Sequence, residues 1–193
     1  MKKILIISYG GTIVMVVRNN EVVPAENVEE ILNMVPRVKE IADVEFAILS
    51  NVDSTNVGPH DWTRLSNYIG KNIDDYDGFV VTHGTNTMAY TASALSLALG
   101  PGLKKPVIIT GSQLPLTSYG NDAHNNLEYS VKTVLKAIEE NIAQVMIVFS
   151  DVILSGCRSV KVSEDNFRAF DSPAFPHIGK ISARGFSLIS MQN

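Results

Sequence analysis

A single cysteine, Cys157, among 193 residues rules out an intramolecular disulfide and fits a reducing compartment. With His60, His83, His124 and His177 scattered along the chain, it offers no four-ligand zinc spacing either. A basic excess is also lacking: 16 Lys and Arg stand against 20 Asp and Glu, a formal net charge of −4, and the charges are dispersed. That removes the basic face expected of a nucleic-acid binder. No apolar run approaches the roughly 18 to 20 residues a membrane helix needs, and Met1-Lys2-Lys3 leads into a short strand without the features of a secretory leader. The phosphate loop G-x-x-x-x-G-K-[ST] is absent, and so is G-x-G-x-x-G. These absences predict a cytoplasmic chain with no nucleic-acid partner and no membrane partner.

What is present is a regular alternation of apolar strands and amphipathic helices in a chain long enough to bury about 70% of its extended surface as one domain. Lys3–Ile7, Val44–Leu49, Phe79–Val81, Val107–Thr110 and Val145–Phe149 read as strands. Helices are expected from about Glu26 to Met34, from Pro59 to Lys71, from Asn86 to Leu99 and near Asn126 to Glu139. Ile13–Val17 and Glu21–Val23, joined by Arg18-Asn19-Asn20, suggest a small hairpin. Beyond Asp151 the pieces shorten and become β-like. The pattern predicts an α/β fold, a three-layer sandwich around a mainly parallel sheet with mixed edges. Residues 1–180 form this domain, and 181–193 are expected to be a strand or a linker toward a second domain.

Polar turns follow the strands. Val80-Val81-Thr82-His83-Gly84-Thr85-Asn86-Thr87-Met88 passes from strand to hydroxyl-rich turn to helix; Gly84 allows close backbone approach, and Thr85 or Asn86 is placed to cap the helix. A capped helix start also suits a bound carboxylate or oxyanion. Thr12 after Gly10-Gly11, Ser54 and Thr55 after the Val44 strand, and Ser112 after the Val107 strand occupy the same sheet edge, where α/β folds bind ligands. A cap needs no chemistry and a lone lysine is usually solvated, so it is the clustering of these groups that points to a site. Threonine becomes a nucleophile only beside a base or cation, and Lys161 supplies the cation if the late β segment folds back over this edge. Trp62 reads as core, His83 as a structural neighbour of the turn, and Cys157 as inert.

Tyr9-Gly10-Gly11-Thr12-Ile13, Asn51-Val52-Asp53-Ser54-Thr55, Thr82-His83-Gly84-Thr85-Asn86-Thr87-Met88, Thr110-Gly111-Ser112-Gln113 and Arg158-Ser159-Val160-Lys161-Val162 occur in that order. The set resembles the N-terminal domain of the bacterial and archaeal L-asparaginase/glutaminase family over essentially the whole chain. The resemblance implies a homodimeric amidohydrolase acting on a small amino-acid amide through a threonine acyl-enzyme, without cofactor or metal. It implies Thr12 as nucleophile, Thr85 polarised by Lys161 as the second catalytic threonine, and Ser54 and Thr55 on the substrate α-carboxylate. Gly84, Asn86 and Ser112 complete the binding residues, Ser112 near the oxyanion-side loop.

Three departures stand out. The family's turn reads Gly-Thr-Asp-Thr where this chain has Asn86, which removes a carboxylate from the turn. The family's hinge tyrosine has no counterpart between Thr12 and Tyr68, and the smaller C-terminal domain is missing. Two other readings therefore accompany an asparaginase: a glutaminase component of a tRNA-dependent amidotransferase, and an amino-acid-binding domain that does not hydrolyse. A structural or interaction protein ranks behind these, because it has no use for hydroxyls gathered at several strand ends.

Overall fold

The computed structural model describes residues 1–25 and 27–189. The chain opens with β1 (Lys3–Ser8), a hairpin of β2 (Met15–Arg18) and β3 (Glu21–Pro24), and two short helices, α1 (Val28–Met34) and α2 (Pro36–Ile41). β4 (Asp43–Ile48), α3 (Pro59–Lys71), β5 (Gly78–Thr82), α4 (Met88–Leu99), β6 (Val107–Thr110), α5 (Ala123–Glu139) and β7 (Val145–Phe149) follow in alternation. The chain then reverses through β8 (Val152–Ser155), a small ribbon of β9 (Val160–Lys161) and β10 (Phe170–Asp171), and a last hairpin of β11 (Gly179–Ser182) and β12 (Gly185–Leu188).

Among the described residues, eight strands form the main sheet in the order β12-β11-β8-β7-β6-β5-β1-β4. β4, β1, β5, β6 and β7 run parallel, while β8, β11 and β12 pair antiparallel at one side, giving the expected mixed edge. Central strands are covered on both faces, which is why they read as unbroken apolar runs with no polar alternation. Ile4, Ile6, Val80, Ile108 and Met146 face α1, α2 and α5 through Ile31, Val38, Leu127 and Val131. Leu5, Ile7, Phe79, Val81 and Ile109 face α3 and α4 through Leu65, Ile69, Met88 and Leu95. Three layers result, as predicted.

Several boundaries differ from the sequence expectation. The sequence pattern does not predict α2, because six residues are too few for a periodic signal; Pro36 suits its first turn. α1 begins at Val28 because the Asn27 side chain accepts the Glu30 N–H at 2.9 Å, and the expected start at Glu26 lies outside the described residues. α4 begins at Met88, so neither Thr85 nor Asn86 caps it; both side chains are engaged elsewhere. α5 starts three residues early, at Ala123. Thr12–Val14 forms a single 3-10 turn before the hairpin.

β1 pairs with β4 on one side and β5 on the other, so the strand order reverses beside β1. The crevice beyond the carboxyl ends of β1 and β5 is therefore the topological switch point, where doubly wound sheets hold their ligands.

Candidate active site

The loops at the switch point are pressed together by glycine. Gly10 and Gly11 have φ of 95° and 89°, a region that side chains rarely adopt. A Cβ on Gly10 would lie 2.6 Å from the Val52 carbonyl oxygen, and one on Gly11 would lie 2.5 Å from the Gly84 nitrogen. Likewise a Cβ on Gly84 would lie 2.5 Å from Ser54 Oγ, and one on Gly111 2.5 Å from the His83 carbonyl oxygen. The loops after β1, β4, β5 and β6 thus meet backbone to backbone, and Thr12 and Thr85 stand on two loops in direct contact.

Asp53 organises the loop after β4. Its Oδ1 accepts the Thr55 N–H at 2.9 Å, which holds the carboxyl below the ordinary aspartate range. Ser54 is buried against Gly84, and its carbonyl accepts the Thr87 hydroxyl at 2.6 Å. Thr55 is exposed, and its Oγ1 accepts Asn86 Nδ2 at 3.0 Å.

Lys161 reaches the turn from the β9/β10 ribbon, which is anchored by Phe170 packed on Phe149 with ring centroids 5.0 Å apart. Its Nζ donates to Thr85 Oγ1 at 3.1 Å and to Asn86 Oδ1 at 3.3 Å, and it pairs with the Glu164 carboxylate. Only 12% of the Lys161 side chain is exposed, so this cation is screened less than a surface lysine. A donated N⁺–H draws electron density from the Thr85 oxygen and favours loss of its proton. Thr55, Asn86, Lys161 and Thr85 therefore form one continuous polar line.

Ser112 does not join that line. It is buried, and its hydroxyl donates to the Leu114 carbonyl at 2.7 Å within its own loop. Gly111 makes the contact with the turn instead, against the His83 carbonyl, while its own carbonyl accepts Asn126 Nδ2 of α5 at 2.9 Å. Asp122 accepts the N–H groups of Gln113 and Leu114, and Gln113 Nε2 donates to the carbonyls of Glu164 and Asn166 at 2.9 and 3.0 Å.

Beneath the turn lies a relay that joins Trp62, read as core in the sequence, and His83, read as a structural neighbour of the turn, through Thr91, which the sequence reading did not single out. Trp62 Nε1–H donates to Thr91 Oγ1 at 3.0 Å, Thr91 lies 3.0 Å from His83 Nε2, and His83 Nδ1 lies 2.7 Å from the Gly84 carbonyl. A carbonyl only accepts, so Nδ1 carries the proton and Thr91 donates to Nε2. Burial pushes the His83 pKa down, keeping the ring neutral. The ring stacks on Tyr9 at 6.3 Å, and Tyr9 donates to Asp61 at 2.8 Å. Thr91 is the lone hydroxyl on the buried face of α4 formed with Met88, Ala92 and Leu95, and that break in an apolar stripe is the signal that points to the relay. Ser8 and Thr82, paired in register at the strand ends, are buried hydroxyls without hydrogen-bond partners among the described residues.

A family model described as asparaginase, N-terminal, matches residues 3–192. The chain belongs to the asparaginase family. It is similar to L-asparaginase 1 of Escherichia coli, 38% identical over 180 residues that make up 91% of this chain and 52% of that protein. It is also similar to a glutamyl-tRNA(Gln) amidotransferase component of Archaeoglobus fulgidus, 34% identical over 188 residues, 95% of this chain and 44% of that one. The solved structure of a probable cytoplasmic L-asparaginase from Campylobacter jejuni matches with a TM-score of 0.86 at 32% identity, covering 97% of this chain and 57% of that chain. The chain thus spans about half the length of the curated relatives it matches. Asparaginase-family membership accounts for the α/β fold and for the order of the threonine, serine and lysine motifs. Among the described residues no group of three or more His, Cys, Asp and Glu is placed to hold a metal, and no helix is long and apolar enough to cross a membrane.

Proposed function

We propose that this chain is the catalytic domain of an asparaginase-type amidohydrolase, acting on the side-chain amide of L-asparagine, with L-glutamine as a secondary substrate. The observation that carries the reading is the contact of Lys161 Nζ with Thr85 Oγ1, across 76 residues of sequence, at the switch point where Thr12 also stands. Thr12 Oγ attacks the amide carbon; the tetrahedral intermediate collapses as the amide nitrogen leaves with the threonine proton as ammonia. Water then adds to the resulting ester, assisted by Thr85 polarised by Lys161, and releases the acid and the Thr12 hydroxyl. Ser54 and Thr55 hold the α-carboxylate beside Gly84, and Ser112 braces the loop that brings Gly111 to Thr85. The residues in these roles need neither cofactor nor metal.

Similarity to the archaeal amidotransferase protein favours a glutaminase component as the second reading. Asn86 favours the third, an amino-acid site without turnover. Ammonia release from asparagine and glutamine separates them. Release that disappears in Thr12→Ala and falls about a hundredfold or more in Lys161→Met supports the first reading. Release unchanged in Thr12→Ala refutes the acyl-enzyme. Aspartate binding with no release, even from Asn86→Asp, supports the binding domain. The chain acts as a homodimer in this proposal, supported by an uncharged α4 that leaves Tyr90 and Leu97 67% and 81% exposed; sedimentation velocity tests it. A cytoplasmic location is supported by the single free cysteine.

A further inference from the structure

The polar line at the switch point carries a positive charge on Lys161 and no negative charge of its own, since Thr55, Asn86 and Thr85 are neutral. A zwitterionic amino acid brings an ammonium as well as carboxylates, and holding that ammonium out of water requires an anionic acceptor. Carboxylates stand near, but most are engaged in building the loops. Asp53 takes the Thr55 N–H, Asp61 takes the Tyr9 hydroxyl and the Gly58 N–H, and Asp122 takes the N–H groups of Gln113 and Leu114 together with Asn126 Nδ2.

Glu164 is differently placed. Its Oε2 pairs with Lys161, at the point where the same Nζ meets Asn86 Oδ1 and Thr85 Oγ1, while 75% of its side chain is open to solvent. The segment that presents it is fixed at both ends. Gln113 Nε2 grips its carbonyl and that of Asn166, and Ser163 Oγ accepts the N–H groups of Asp165 and Asn166 at 3.3 and 3.0 Å. An anchored backbone with an open carboxylate beside a neutral amide is the arrangement needed to receive a cationic group at Asn86.

We propose that Glu164 is the specificity-determining carboxylate of this site: it balances Lys161 and accepts the α-ammonium of a bound amino acid, the charge that Asn86 does not provide. The inference rests on the amidohydrolase reading and assigns to the β9–β10 loop the recognition of amino acids over simple dicarboxylates.

The test uses L-aspartate and succinate, which differ only in the ammonium, and measures binding by calorimetry at fixed pH and salt. In Glu164→Gln, aspartate should weaken by about tenfold or more, the scale of a hydrogen bond to a charged partner. Succinate should bind as before or more tightly, because Lys161 loses its counter-ion. Asn86→Asp in the Glu164→Gln background should restore aspartate binding and leave succinate unimproved. Equal weakening of both ligands would assign Glu164 a structural role and overturn the inference, as would aspartate binding unchanged by Glu164→Gln. If neither the parent nor Asn86→Asp binds aspartate or succinate, the amino-acid site itself fails and the inference falls with it. Aspartate binding by the parent with an indifferent Glu164→Gln overturns the inference alone.

Discussion

Thr91→Val is the sharpest probe of how the turn at Gly84 is held. Valine keeps the shape of threonine and replaces its hydroxyl with a methyl, so packing in α4 is preserved while two hydrogen bonds vanish, from Trp62 Nε1 at 3.0 Å and to His83 Nε2 at 3.0 Å. Thr91 and His83 are fully buried, so water cannot replace the lost partner at the imidazole. Each polar group stranded in this way costs about 1–3 kcal/mol, which gives about 2–6 kcal/mol for the two groups lost in the variant. That is a large part of the roughly 5–15 kcal/mol that holds a domain together, and it corresponds to a fall in Tm of about 4 to 24 °C at this size. Urea unfolding followed by fluorescence reads the change directly, because Trp62 is the only tryptophan in the sequence and is itself a member of the relay. Trp62→Phe in the Thr91→Val background removes one stranded donor and should recover part of the loss, followed by circular dichroism. A Thr91→Val midpoint shifted by less than about 0.5 kcal/mol would refute the relay as a structural element, placing it in the range of ordinary surface changes.

Three further outcomes follow from the same geometry. His83 has a folded pKa below its unfolded value, so it binds a proton less readily in the native state; its contribution is complete above about pH 6.5 and declines as pH falls through the folded pKa, with a slope of up to ~1.4 kcal/mol per pH unit. Unfolding midpoints of the parent and His83→Gln between pH 7 and 5 test this, and identical slopes would refute it. Tyr9 and Tyr76 are pushed up to about 12, Tyr9 chiefly by burial and Tyr76 chiefly by its hydrogen bond to Glu45, so ultraviolet titration should show two of the six tyrosines ionising late. The stability they lend is present below about pH 10 and lost as pH rises toward 12; a single transition near pH 10 in the folded protein would contradict both shifts. Gly84→Ala places a Cβ 2.5 Å from Ser54 Oγ against a buried side chain, and amide hydrolysis should fall far more than global stability, measured by ammonia release alongside thermal melts.

The parallel core was legible because its strands are covered on both faces and leave unbroken apolar runs such as Ile4-Leu5-Ile6-Ile7 and Val145 to Phe149. The sheet edge at which the polar turns gather followed from the same alternation. What stayed hidden depends on contacts between distant parts of the chain. The grip of Gln113 on the loop at Glu164 leaves no local mark, since the partners lie 51 residues apart; the reach of Lys161 to Thr85, across 76 residues, is legible only through the family resemblance and not from spacing. α4 begins later than expected for a related reason: Thr85 and Asn86 look like caps until Lys161 and Thr55 claim their side chains. The antiparallel return of β11 and β12 onto β8 escaped because four-residue strands carry little periodicity.

The meeting of bare backbones at Gly10, Gly11, Gly84 and Gly111 has a consequence for how such a site is altered. Four loops that touch through bare backbone at Gly10, Gly11 and Gly111, and through the Ser54 side chain at Gly84, form a single keystone with no slack to give. Reshaping the pocket through its walls would move all four at once and carry Thr12 and Thr85 out of register. In the proposed amidohydrolase, selectivity would change where side chains project from that keystone, at Thr55, Asn86 and Glu164, which would make substrate choice a matter of a few exchangeable fittings on a frame that itself stays fixed.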